Sequence, residues 1–147
     1  MKNTILLLTL FMTSIINAQI SISEDVELIG TAQLNNTKLE RIIIPENERD
    51  QYMLRFDHIN NHRCSDSDLT KNVIIEFKAN DKELNMLYET FKSILETKKS
   101  KTVKLENNTL IISCTRNRLI VNVNSYDGDI TTFNIGKRQL KKLFGKS

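Results

Sequence analysis

The stretch from Asn80 to Lys99 constrains this chain more than any other part of it. Leu84, Leu87, Tyr88, Phe91, Ile94 and Leu95 recur at three- and four-residue spacing, which gathers them on one side of a 3.6-residue helix. Glu83, Glu89, Lys92 and Glu96 fall on the other side. Asn80 is a good cap, and Glu83 stands three residues later, where a capping box needs it. Lys98 and Lys99 close the segment, and cations suit the negative end of a helix dipole. The spacing predicts a helix over residues 81–98. Such a stripe must be buried, so the rest of the chain has to supply a dry face.

Four period-two segments follow, at 102–106, 109–115, 118–126 and 129–135. Their inward sets are Val103 and Leu105; Leu110, Ile112 and Cys114; Leu119, Val121 and Val123; and Thr131, Phe133 and Ile135. Alternation of this kind gives each strand one wet and one dry face. The joints are Asn107-Asn108, Arg116-Asn117 and Asp127-Gly128, the last read as a type I′ hairpin turn. A short helix, 137–144, ends the chain with Leu140, Leu143 and Phe144 on its apolar edge, and Gly145 is placed to stop it.

Upstream, Tyr52, Leu54 and Phe56 alternate within 52–59, and Val73, Ile75 and Phe77 within 73–77. Ile20–Ser23, Val26–Ile29 and Leu39–Ile44 are further strand candidates, and 45–50 is a charged turn. No repeat of 20–50 residues is visible. The whole predicts an α+β fold. One long amphipathic helix packs across an antiparallel sheet that includes a four-stranded meander, and a short C-terminal helix follows.

The N-terminus reads as an address. Lys2 precedes the apolar run Ile5–Met12, and small Ala18 stands before Gln19, the pattern of a cleavable signal peptide over residues 1–18. As a helix, residues 5–16 would reach only about 18 Å, short of the roughly 30 Å hydrocarbon core. No later stretch is apolar enough to span, so the mature chain is expected to carry no transmembrane segment. Removing residues 1–18 from 147 leaves 129, read as a single globular domain over 19–147, and lowers the formal charge from +3 to +2. That balance names no partner. The expected location is the periplasm or the outside of the cell. There an even pair of cysteines, Cys64 and Cys114, reads as a disulfide candidate, with two free thiols as the alternative.

The densest polar constellation runs from Asp57 to Asp68. His58, His62, Asp66 and Asp68 are its candidate metal ligands, since imidazole and carboxylate suit zinc or a similar ion. Asn60 and Asn61 between the histidines favour a solvated turn instead. No Gly-x-Ser-x-Gly elbow and no phosphate-cradling glycine loop is present, and Asp127 and Asp129 are explained by their turn. No cofactor is expected, and an enzyme is disfavoured. Two basic runs, Lys98, Lys99, Lys101 and Lys104, then Lys137, Arg138, Lys141, Lys142 and Lys146, read as a helix end and the wet face of a terminal helix. Nucleic acid is not an expected partner, because its binding would want these joined on one face with aromatics between them. Some attraction to an anionic envelope surface stays open.

Over residues 72–135 the strand–helix–meander order resembles the cystatin arrangement in connectivity. The inhibitory motif does not carry over, because Glu106-Asn107-Asn108 does not match its hairpin and the chain has no Trp. The whole chain also resembles small exported proteins of Bacteroidetes, on Asn17-Ala18-Gln19, the helix Leu84–Phe91 and the ending Leu140–Lys146. That resemblance implies a Gram-negative envelope or secreted location and supplies no site residues. The expected function is a small binding module for another protein, of the inhibitor or immunity type. The alternatives are a hydrolase or metal-dependent enzyme centred on His58–Asp68, and a structural envelope protein.

Overall fold

The computed structural model describes residues 26–45, 47–58 and 72–146. The chain runs twice through four strands and a helix. The first pass is β1 (Val26–Ala32), a 3₁₀ turn (Leu34–Asn36), β2 (Thr37–Ile42), β3 (Asp50–Asp57), β4 (Asn72–Ala79) and α1 (Asp81–Thr97). The second is β5 (Lys101–Lys104), β6 (Asn108–Thr115), β7 (Arg118–Ser125), β8 (Ile130–Gly136) and α2 (Lys137–Leu143). The candidate strand at Ile20–Ser23 lies outside the described residues.

The α+β class holds, but the single sheet does not. Two four-stranded antiparallel sheets form, in the orders β1-β2-β3-β4 and β5-β6-β7-β8. The strand before the long helix pairs backwards with β3, from Asp50 opposite Ala79 to Asp57 opposite Asn72, and not forwards with the meander. Period-two patterning fixes which face of a strand is dry but not which strand lies beside it.

The expected inward faces are largely realised. Tyr52, Leu54, Phe56, Ile75 and Phe77 are buried from the first sheet, and Leu110, Ile112, Leu119, Val121, Val123, Phe133 and Ile135 from the second. Val73, Val103, Leu105 and Cys114 are half-buried against them. Helix α1 adds Tyr88, Phe91, Ile94 and Leu95, and the C-terminal segment adds Leu140, Leu143 and Phe144, so both sheets and both helices share one core cluster. Phe56 of β3 and Phe133 of β8 meet with ring centroids 4.4 Å apart. The helices are exchanged between the sheets. Helix α1 follows the first sheet and packs chiefly on β6 and β7, whereas α2 follows the second and packs chiefly on β1.

Local chemistry sets the joints. Asn80 Oδ1 accepts from the Glu83 N–H at 2.9 Å, and Glu83 Oε2 accepts from the Asn80 N–H at 3.0 Å, the reciprocal cap expected of this pair. The helix stops at Thr97 because Lys98 turns left-handed, φ 60°. The turn assignments need one correction. Both central residues have positive φ at Arg116-Asn117, 49° and 62°, whereas at Asp127-Gly128 only the glycine does, at 89°. Thr115 pairs directly with Arg118, leaving the two-residue loop whose twist demands a primed turn. The connection from β7 to β8 is longer, and a single left-handed glycine closes it.

Gly30 decides how α2 docks. The register of β1 on β2 slips between Leu28 and Gly30, a bulge that leaves Ile29 as the extra residue. A Cβ built on Gly30 would stand 1.9 Å from the Lys142 carbonyl oxygen and 2.7 Å from that of Leu143. Only a residue without a side chain admits the end of α2 against β1.

Candidate functional site

Helix α1 presents a different flank to each of two clefts. On one flank, Glu83, Met86, Leu87 and Thr90 floor a slot of about 380 Å³. Its walls are Phe77–Ala79 of β4 and Val103–Glu106 at the end of β5, one edge strand from each sheet among the described residues. The other two edge strands lie elsewhere. The C-terminal segment packs against β1 at Gly30, and at β8 the Thr132 N–H donates to His58 Nδ1 at 2.9 Å. Met86 is 60% exposed in the slot. Lys78 and Lys104 stand on its rim, and Arg49 is paired with Glu83.

On the other flank, Tyr88, Leu95 and Leu140 floor a groove of about 320 Å³ between α1, α2 and the β6–β7 turn. Lys92, Lys98, Lys137 and Lys141 line it, with Glu96 as the carboxylate among the lining residues. The two basic runs of the sequence therefore meet here, Lys98 from the first and Lys137 and Lys141 from the second. Lys98 is positioned by the turn opposite. Its Nζ donates to Asn117 Oδ1 at 2.8 Å and lies 3.4 Å from Cys114 Sγ. Lys92 is held by Glu89 at 3.2 Å, a hydrogen bond that raises the ammonium pKa above its ordinary value.

A third cluster is structural. Arg41 Nε and Nη2 reach Asp50 Oδ2 at 2.7 and 2.5 Å, and Nη1 lies 3.9 Å from Glu27 and 3.7 Å from Asp81. Asp50 also accepts the Ile44 N–H at 3.3 Å. One guanidinium thus ties β1, β2, β3 and the start of α1. Tyr52 lies beside it fully buried, and its hydroxyl has no hydrogen-bond partner among the described residues. Desolvation pushes the phenol pKa up, and the nearby Arg41 charge only partly opposes this.

Of the candidate metal ligands, His58 accepts the Thr132 N–H at Nδ1. Among the described residues no group of three or more His, Cys, Asp or Glu could hold a metal ion. His62, Asp66 and Asp68 lie outside the described residues. So does Cys64, and Cys114 has no disulfide partner among the described residues. No helix among the described residues is long and apolar enough to cross a membrane. Sequence reasoning passed over Asn117 and the convergence of the lysines. The spacing of Lys137 and Lys141, one turn apart, was the available signal. No family model, curated protein or solved structure matches this chain.

Proposed function

We propose that the protein is exported, with residues 1–18 removed before Gln19, and acts in the periplasm or outside the cell as a binding module for another protein, of the inhibitor or immunity type. The supporting observation is the slot between β4 and β5. Two strand edges face it, and backbone N–H and C=O groups on such an edge pair with an added strand. The apolar floor at Met86 and Leu87 takes alternate side chains of that strand, and Lys78 and Lys104 favour an acidic neighbour. Edge lysines also discourage self-pairing, so the same residues that keep copies of this chain apart admit a partner of opposite charge.

A photo-crosslinking amino acid at Met86, in chain expressed with its own N-terminus, tests this. A discrete protein adduct is expected at Met86 and none at Leu28, which is 56% exposed on β1, the opposite edge of its sheet from β4. The mature chain is expected to begin at Gln19. No adduct at Met86, or the same adducts at both positions, would overturn the slot as the docking site, and an uncleaved N-terminus would overturn export by this route.

A further inference from the structure

The lysine-rimmed groove is a second site, on the other flank of α1 from the slot. Its floor is an aromatic ring and two leucines, so it offers dispersion contacts to an apolar body. Its rim is cationic. Lys98, Lys137 and Lys141 have no carboxylate partner among the described residues, and Glu96 is the carboxylate lining the groove. The total charge of the chain is near neutral, so this is local concentration and not a diffuse field. Lys98 is also preorganised, anchored by Asn117 across a turn whose left-handed backbone fixes where that amide points. Lys146 lies over the Tyr88 ring, 5.8 Å from its centroid, and adds a further cation beside the floor.

These features select a ligand class. A small inorganic anion would use the rim and leave the floor unused. A neutral apolar ligand would use the floor and gain nothing from the lysines. A bilayer presents a broad surface, whereas this site is a recess between two helices, and about 320 Å³ falls at the lower end of small-ligand pockets, roughly 300–1,000 Å³. We propose that the groove binds a single-chain anionic amphiphile, with its carboxylate among Lys98, Lys137 and Lys141 and its chain over Tyr88, Leu95 and Leu140. The ammonium groups give charge-assisted hydrogen bonds to the head, and the floor removes chain methylenes from water.

Decanoate, kept below its micellar range and titrated into the full mature chain, is the probe. Calorimetry should show one decanoate per chain, and amide NMR shifts should centre on Lys98, Asn117 and Leu140. Acetate, the same head without the chain, should produce no saturable shift. The double variant Lys137→Gln, Lys141→Gln changes two exposed side chains on α2 and should weaken decanoate on the order of tenfold while leaving the thermal midpoint in place. Saturable acetate binding, unchanged affinity in the double variant, or equal binding of the neutral decyl maltoside would each overturn the proposal. So would retention on phosphatidylglycerol vesicles without binding of monomeric decanoate, which would mark the lysines as a surface-adsorption patch. None of these outcomes bears on crosslinking at Met86, so the two sites stand or fall separately.

Discussion

Gly30→Ala is the sharpest test of how the C-terminal helix is held. The added methyl would lie 1.9 Å from the Lys142 carbonyl oxygen, and the next two contacts, at 2.7 and 2.9 Å, are also backbone atoms of α2. No side chain can swing away to relieve them. Restoring van der Waals contact means moving the end of α2 by roughly 1 Å or more in an interior packed like a crystal. That shift loosens Leu140, Leu143 and Phe144, which are 1%, 0% and 6% exposed. Each is worth about 1.5–3 kcal/mol when fully buried, and overpacking alone costs about 1–3 kcal/mol. A loss of about 3 kcal/mol is expected, against a total stability of about 5–15 kcal/mol for a domain. Urea unfolding measures it, with Gly136→Ala as the control. Gly136 has ordinary φ, and its Cβ would meet only the flexible Gln139 side chain at 3.5 Å, so the control should lose no more than about 1 kcal/mol. Equal, small losses in both variants would refute the account of α2 docking through Gly30.

Four further expectations follow from single contacts. Tyr52→Phe removes a buried hydroxyl without a partner among the described residues and should stabilise by about 1 kcal/mol, read as a raised urea midpoint; a loss would mean the hydroxyl has a partner. Because the folded phenol pKa lies above the unfolded value, the native state retains the proton over the window between them. Wild-type stability should therefore fall as pH rises above about 10, and Tyr52→Phe should flatten that fall. His58→Ala strips the acceptor from the Thr132 N–H, so amide exchange at Thr132 should quicken and stability drop by about 1 kcal/mol; unchanged protection would deny the clasp between β3 and β8. In chain recovered from an oxidising compartment, a Cys64–Cys114 disulfide would leave the unreduced mass two hydrogens short and no titratable thiol. Two reactive thiols would reject it.

What was legible in the sequence is what repeats locally. The α1 stripe and the inward faces of β6, β7 and β8 keep their period without interruption, so residue type alone orients them. The first two strands do not. The bulge at Ile29 breaks the alternation of β1, and β2 turns Thr37 and Arg41 inward, one fully buried and the other in a carboxylate cluster. A polar residue facing inward reads as outward until its partners are known. The lysine groove was hidden for a different reason. Lys98 and Lys141 are far apart in the chain, and each has an adequate local explanation as a helix end or a wet face. Only the packing of α2 beside α1 makes them neighbours. The slot was invisible because its walls are defined by strands that do not pair, and alternation carries no information about pairing.

The exchange of helices between the sheets has a consequence for folding. The first four strands need α2 on β1, and the last four need α1 on β6 and β7. Each half therefore leaves an apolar face open when the other is removed, and neither can bury enough surface to offset the entropy of ordering its own strands. Both sheets should unfold in one transition, although each is a complete meander with local pairing. The same exchange places α1 between the two candidate sites, with Met86 and Leu87 on one flank and Lys92 and Leu95 on the other. A rigid helix shared by two sites would move both if it moved at all. Decanoate in the groove should then alter amide shifts at Met86 and Leu87 if α1 shifts as a body. Changes confined to the groove would show that the core holds the helix fixed and that the two sites act alone.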